Sequence, residues 1–420
     1  MLFPKFPIPV YIDEVQVDKG ILILDFPPTS KSIEFDFKRA FMTNIGLESS
    51  LTESTMLEIR GIDFQNKPPR VGSYYFLPEV FFNQNFWSEV DSEDQESHFL
   101  AFKAEYNNSI PFSLGKALNR NEYLFFGEEN EVENLEKALS ILRTFSFKSS
   151  KIQLVAHDVG QGNCNQVFFG CCSFVMYDFG SREKSILENA LSNFDAKLHA
   201  DHIDCRLNTI LSEGYNDKES NLKIFVLSHW DIDHFNALNQ MDQRVIDLFD
   251  LFVVPKEIPT DTAKRAFDRL PPDKTLRIEM RRRIGRGPNQ LELIYMNDIF
   301  RLFRGSKSSN RNKSGLVLTV KTPNCNAILP ADHHYDQIND TVYPYHNENE
   351  LYFIVPHHGG HAGRVSIINN WLNLREVVYS VGNNQWGHPF GYVTGTYNAL
   401  ARINVRHETR INSDYKKTMN

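Results

Sequence analysis

Residues 223–234 read Lys223-Ile-Phe-Val-Leu-Ser228-His229-Trp230-Asp231-Ile232-Asp233-His234. An apolar, strand-forming run passes directly into His229, Asp231, Asp233 and His234, four metal-ligating side chains within six residues. Imidazole nitrogen and carboxylate oxygen suit Zn²⁺, Mn²⁺ or Fe²⁺, and this many donors suits a pair of ions. Alternate residues of an extended turn point the same way, so His229, Asp231 and Asp233 are expected to share a face, with His234 reaching the second ion. The bland alternative is a solvated acidic loop with stray histidines. H-x-D-x-D-H directly after a strand is too demanding a pattern for that reading.

Working outward, the sequence from about residue 151 repeats this arrangement. Short apolar strands (IQLVA, QVFF, SFVMYD, KIFVLS, LFVVP, LVLTV, NAILP, LYFIVP, VVYSV) alternate with loops, and several end on His or Asp. Ligands on loops at strand ends are held by a rigid sheet while facing a cleft. In HDVGQG, Asp158 ends a strand, and Gly160 and Gly162 make a turn whose amides can approach an anion or a ligating loop. Asp178 ends the next strand before Gly180. In AILPADHH, Asp332 is placed to bridge two ions, with His333 and His334 as bystanders or supporting groups. In LYFIVPHHGGH, one of His357 and His358 is expected to be a ligand, and the other to contact substrate or act as an acid. Any one of these histidines alone is more readily explained as structural. Their recurrence at successive strand ends is not.

Taken in order, Asp158-Val-Gly-Gln-Gly162, His229 to His234, Asn312-Lys-Ser314-Gly-Leu-Val317-Leu318, Leu329-Pro-Ala-Asp332, Pro356-His357-His358-Gly359 and Ser380-Val-Gly-Asn383-Asn-Gln-Trp-Gly-His388-Pro389 resemble the metallo-β-lactamase domains of the ComEC type. The resemblance covers roughly residues 151–405 and implies an α/β fold, an αββα sandwich with a dinuclear metal site at the edge of its two sheets. It implies His229, Asp231, Asp233, His234 and Asp332 as ligands together with His358 or His357, Asp158 with its glycines as support, and Asn383 and His388 as groups facing substrate. The sequence departs from the pattern at Asp231, where a His is commoner, at Ala331 and Gly360, where Gly and Ser are usual, and in lacking a His for a third metal motif. No membrane channel like that of ComEC proteins is expected, so DNA transport does not carry over with the resemblance.

The expected activity is a metal-dependent hydrolase using two divalent ions, Zn or Mn. The ions would turn a bridging water into hydroxide near neutral pH. Asp233 would orient that water, and His388 or His357 would protonate the leaving group. Between Lys264 and Lys313 lie fourteen Lys and Arg against five acids, including Arg281-Arg282-Arg283. In an acidic chain this suggests a polyanion beside the site, which makes a DNA phosphodiesterase or nuclease the leading expectation. A solvated, partly helical insertion near 257–313 is the plain alternative. The arginine run also admits cutting by a trypsin-like protease or contact with a regulatory protein. Small-molecule hydrolysis (a cyclic nucleotide, a phosphorylcholine ester, a lactone) is the rival activity, and a non-catalytic metal-binding partner protein the rival class.

At 420 residues the chain is long for one domain. Residues 1–148 carry alternating runs (VYIDEVQV, ILILDF, SIEFDF, TMLEIRGIDF, SHFLAFKAEY) suited to half-buried antiparallel strands. ENEVENLEKALSILRTF follows with helical spacing. This half is expected to be a smaller α+β accessory domain, preceding a hydrolase domain at 149–420. Composition is ordinary for a globular protein, with 41% apolar and 23% charged residues. No run reaches the ~18 apolar residues of a membrane helix, and the opening residues lack a signal-peptide pattern, so a cytoplasmic, membrane-free protein is expected. The net charge of −8 argues against wholesale electrostatic binding of nucleic acid. The five cysteines lack C-x-x-C spacing and read as buried free thiols.

Overall fold

A computed structural model of the chain describes residues 8–27, 56–64, 68–77, 87–91, 101–106, 152–169, 173–182, 185–195, 222–281, 290–308, 311–382 and 387–419. The chain divides into two compact units, Met1–Gly127 with Glu257–Asp268, and Glu128–Lys256 with Arg269–Asn420.

The first unit holds a sheet of β1 (Ile8–Gln16), β2 (Ile21–Asp25), β3 (Met56–Arg60), β4 (Tyr74–Leu77), β5 (Trp87–Asp91) and β6 (Ala101–Tyr106), in the order β4-β1-β2-β3-β6-β5. All neighbours are antiparallel except β3 and β6, which run parallel. That parallel pair departs from the expected antiparallel set. So does β2, which is buried along its whole length rather than on alternate residues. Residues 257–268 belong to this unit: the amide of Asp261 donates to Phe26 O (3.0 Å) and the Tyr74 hydroxyl to Pro259 O. SIEFDF, the expected helix in ENEVENLEKALSILRTF and the boundary near 148 lie outside the described residues.

The second unit is built on two mixed seven-stranded sheets. One comprises β7 (Ile152–Ala156), β8 (Cys164–Phe169), β9 (Ser173–Phe179), β10 (Lys223–Val226), β11 (Leu251–Pro255), β12 (Thr275–Ile278) and, from the end of the chain, β20 (Tyr415–Met419), ordered β12-β11-β10-β9-β8-β7-β20. The other runs in chain order: β13 (Glu292–Met296), β14 (Phe300–Arg304), β15 (Leu316–Lys321), β16 (Cys325–Leu329), β17 (Glu350–Ile354), β18 (Leu374–Tyr379) and β19 (Val405–Glu408). Alternation along the strands decides what each face meets. Leu154, Val175, Tyr177, Ile224, Val226 and Val253 of the first sheet meet Leu302, Leu316, Leu318, Ala327, Leu329 and Ile354 of the second in one buried core. The intervening residues face outward. Phe174, Phe225 and Phe252 pack around Phe249, and Val317, Ile328 and Phe353 lie under Tyr335, Ile368 and Trp371 from helical turns. This is the αββα sandwich expected of the metallo-β-lactamase fold.

The Arg-rich segment near 257–313, expected to be an insertion poor in strands, instead contributes β12, β13 and β14 to the sheets. Two of these, β12 (Thr-Leu-Arg-Ile) and β13 (Glu-Leu-Ile-Tyr-Met), are edge strands, and the inner strand β14 (Phe-Arg-Leu-Phe-Arg) sets two of the arginines beside buried apolar residues. The charge density therefore hides a strand pattern. Cys164 and Cys325 are buried free thiols, as expected. No helix among the described residues is long and apolar enough to cross a membrane.

Candidate metal centre

The ligand-bearing loops leave one end of both sheets. After β10 the chain does not stay extended. Asp231 keeps β geometry (φ −103°, ψ 143°) and caps a single helical turn, Ile232–Phe235. Of the three residues expected to share a face, His229 and Asp231 stay together, with Asp231 Oδ2 3.3 Å from His229 Nε2. His229 and His234 converge, their ring centroids 4.1 Å apart, and Asp233 points to another set.

Two groups of donor atoms each lie within 4.8 Å of one another: His229, His234 and Asp332, and Asp233, His234 and His358. All five residues are buried. Asp332 Oδ1 is 3.3 Å from His234 Nε2 and Asp332 Oδ2 is 3.8 Å from His229 Nε2. Asp233 Oδ2 is 3.3 Å from His358 Nε2.

The outer nitrogen of each histidine is engaged. His229 Nδ1 meets the Ser228 hydroxyl at 2.9 Å, His234 Nδ1 meets Asp178 Oδ2 at 2.8 Å, and His358 Nδ1 meets Ser380 O at 2.6 Å. Asp178 also accepts from the Ser228 amide (2.6 Å) and hydroxyl (2.8 Å). Partners of this kind fix the ring orientation and leave Nε2 as the basic nitrogen. His229 Nε2, His234 Nε2, His358 Nε2 and Asp332 Oδ1 are all buried without a hydrogen-bond partner. Four orphaned acceptors facing inward are costly in a folded protein. Together they could hold a divalent cation, and the residues fit one.

Two cations that the motifs do not announce hold the carboxylates. Arg311 Nε lies 2.6 Å from Asp231 Oδ1, and its Nη1 donates to Trp230 O at 3.1 Å. Arg182 Nε lies 3.5 Å from Asp233 Oδ2. Burial raises the pKa of Asp231, but the Arg311 guanidinium and His229 outweigh it and keep the carboxyl below the usual range. Asp233 and Asp332 are held well down likewise, burial being overcome by Arg182 in the first case and by His234 in the second. Asp231 is in neither donor group; it sits 3.3 Å from His229 Nε2 as an ion-pair partner of Arg311.

The PHHG segment separates its two histidines. His358 is buried, whereas the His357 side chain is 28% exposed, with Nε2 3.7 Å from Asp332 Oδ2 and 3.4 Å from Asn312 Nδ2. Both have left-handed backbones (φ 52° and 55°), as do Asp178 (59°) and Ala331 (49°). Strain at non-glycine residues is concentrated at sites whose surroundings over-determine them. Ala331 explains why Gly is usual before the bridging Asp. Gly360 explains why Ser is missing, since a Cβ there would lie 2.6 Å from His388 Nε2. The His388 ring stands 5.4 Å from that of His357. Burial, with His357 and His358 nearby, pushes its pKa down to about 3, so it is a neutral imidazole near neutral pH.

The Asp158 loop supports the ligating loop from below. Asn163 N donates to Asp233 O (2.9 Å), Arg182 N to Gln161 O (2.9 Å) and the Ser380 hydroxyl to Gly162 O (2.9 Å). Asp158 Oδ1 accepts from Gly160 N (3.2 Å). Of the two roles open to this turn, approach to a ligating loop is the one observed.

Among the arginines expected at substrate, Arg281 bridges to Ser306, while Arg282, Arg283 and Asn383 lie outside the described residues. Several other basic residues of the segment are occupied. Arg304 pairs with Glu292, Lys307 with Glu279 and Lys264 with Asp268, and Arg269 donates to Leu238 O and Met241 O.

No protein-family model matches the sequence, and no curated protein is significantly similar to it. Among solved structures, Zn(2+)-bound PqqB from Methylobacterium extorquens aligns over 62% of this chain and 87% of its own, with 9% identity and a TM-score of 0.32. The short form of human tRNase Z aligns over 48% and 76%, with 9% identity and a TM-score of 0.27. Likenesses this slight carry no argument about activity.

Proposed function

We propose that the chain is a metal-dependent hydrolase of phosphodiesters, with nucleic acid as the leading substrate. The observation that carries this reading is the convergence of three basic imidazole nitrogens and Asp332 Oδ1, all buried and without hydrogen-bond partners. One His234 nitrogen cannot serve two ions. We therefore assign His229, His234 and Asp332 to one ion and Asp233, His358 and the shared Asp332 to a second, Zn or Mn. Bound there, such ions would lower the pKa of a water and stabilise charge on a phosphoryl oxygen. The residues divide the remaining work. Asp233, held ionised beside Arg182, orients the attacking water. His357, the more exposed histidine and a neighbour of Asp332, carries the proton for the leaving oxygen. His388, neutral near pH 7, contributes a hydrogen bond to substrate rather than a charged acid. The order of motifs resembling ComEC-type domains supports a nucleic-acid substrate.

A second reading, hydrolysis of a small phosphodiester or lactone, is favoured by one observation. The paired and capping roles of Arg304, Lys307, Arg269 and Arg311 remove them as a free polyanion surface.

Labelled single- and double-stranded DNA, RNA and cyclic nucleotides, incubated with Mn²⁺ or Zn²⁺, test the assignment beside an Asp233→Ala/His234→Ala variant. Cleavage by the parent and loss of roughly a thousandfold or more in the variant is expected. Cleavage surviving in the variant, or no phosphodiester cut by metal-loaded protein, ends the phosphodiesterase reading. Elemental analysis giving about one ion per chain would end the two-ion assignment.

A further inference from the structure

A separate set of buried polar atoms lies at the opposite end of the second sheet. Asp332 follows the C-terminal end of β16, whereas Asn326 is near its start, paired across to Lys321 of β15. On the neighbouring strands Thr319 pairs with Arg301. Opposed residues share a face, so these four side chains continue the outer face that carries Phe303, Val317 and Ile328.

The turn Tyr343–Tyr345 and the following His346 lie over them. The Asn326 and Asn373 side-chain amides donate to His346 O at 3.3 and 2.6 Å. The Tyr345 ring packs at a tilt against Phe303, centroids 5.7 Å apart, with the Arg301 guanidinium 5.5 Å from the Tyr345 centroid.

His346 and Thr319 are fully buried. Both ring nitrogens of His346, Thr319 Oγ1, Asn326 Oδ1 and Arg301 Nε have no hydrogen-bond partner. Arg301 and Lys321 have no acidic partner among the described residues. Burial, followed by these two cations, pushes His346 down to about 3, so one of its nitrogens donates and the other accepts.

We propose that this cluster binds a small phosphate-type oxyanion, inorganic phosphate or a compact phosphomonoester, independently of the metal centre. Two cations without an acidic partner among the described residues, Arg301 and Lys321, set the sign of the ligand. Arg301 Nε, the Thr319 hydroxyl and one His346 N–H each lack an acceptor, and the oxygens of one small oxyanion would supply them. Asn326 Oδ1 and the second His346 nitrogen call for a donor, because the Asn326 amide nitrogen is already committed to His346 O. Monohydrogen phosphate offers both; sulfate and acetate near pH 7 offer only acceptors.

Calorimetric titration of the full chain with inorganic phosphate, before and after chelator treatment, tests the site. Chelation removes phosphate bound through metal ions. Lys321→Met and Thr319→Val are the variants, each checked for folding by thermal melting. Phosphate binding at a single site is expected to survive chelation, to weaken at least about tenfold in each variant and to exceed sulfate binding by a similar factor. Binding lost on chelation, binding unchanged in both folded variants, or equal affinity for sulfate would overturn the proposal. So would a crystal structure grown in phosphate with only water around His346.

Discussion

Asp178 shows how a residue outside the ligand motifs can govern the centre. Its carboxylate takes the Ser228 amide, the Ser228 hydroxyl and His234 Nδ1, and it does so from a left-handed backbone. Asp178→Asn keeps the volume but replaces one acceptor oxygen by a donor. The Asn then either faces Ser228 with the wrong group or presents N–H to His234 Nδ1, and the tautomer with a basic Nε2 is no longer enforced. Loss of such an outer partner typically costs about 10–100-fold in metal affinity, and that is the expected result in a competitive chelator titration. An affinity within about twofold of the parent would show that packing alone holds the His234 ring. The sequence displayed Asp178 as a strand end before Gly180, but nothing in its spacing announced the bond to a histidine 56 residues away. Arg311 was hidden in the same way. It read as one of many basic residues, and only the fold brings it across to Asp231. The candidate ligands were legible because chemistry restricts such donors largely to His and Asp. The partners that tune those ligands were not, because many residue types can do that work from any point in the chain.

At the scale of elements, the glycines of the first two loops act through close approach. A Cβ on Gly180 would lie 2.5 Å from the carbonyl carbon of Asp233 and from the amide of His234, inside the helical turn that carries two donors. Backbone cannot yield as a flexible side chain does. Gly180→Ala is therefore expected to cost roughly 3 kcal/mol or more, seen as a lowered urea midpoint, and to lower metal affinity with it. A midpoint unchanged within error would mean the turn has room that the backbone contacts deny. The other end of the support is Asp414, at the start of the last strand. It accepts from the Asp158 amide (2.9 Å) and meets His157 Nδ1 at 3.2 Å. The hydrogen bond from His157, then the Asp158 amide, outweighs burial and depresses its pKa from 3.8 to about 2. A depressed carboxylate contributes stability that is present above its unfolded pKa and is lost as pH falls through the folded value. The window is therefore about pH 4 to 2. The displacement corresponds to roughly 2.5 kcal/mol, and the partly exposed carboxylate reduces that to about 1 kcal/mol after solvent screening. Asp414→Asn should lose this amount at neutral pH and flatten the acid limb between pH 4 and 2. Parallel stability–pH curves for parent and variant would contradict the assignment.

Across the whole second unit, the donors come from both layers of the sandwich. His229, Asp233 and His234 follow β10 of the first sheet, while Asp332 and His358 follow β16 and β17 of the second. This much could be read in advance, because each donor was preceded by an apolar run that could only be a strand. What the periodicity could not show was that the Arg-rich segment supplies three more strands, since short strands joined by charged loops and a solvated insertion have the same overall composition. The two-layer origin of the donors has a thermodynamic consequence. An ion held by His234 and Asp332 ties the sheets together at the end where four acceptors otherwise face one another unpaired. A ligand bound only by the folded state stabilises it by RT ln(1 + [L]/Kd), about 4 kcal/mol at a thousand times Kd. For a unit of this size each kcal/mol moves the melting temperature by roughly 2–4 °C. Chelation is therefore expected to lower the melting temperature by roughly 8–16 °C, with recovery on adding back Zn²⁺ or Mn²⁺. In the Asp233→Ala/His234→Ala variant the chelator should have almost no effect, since the linkage has already been removed. If that variant and the parent respond equally, the stabilising ion sits elsewhere and the sandwich edge does not depend on it.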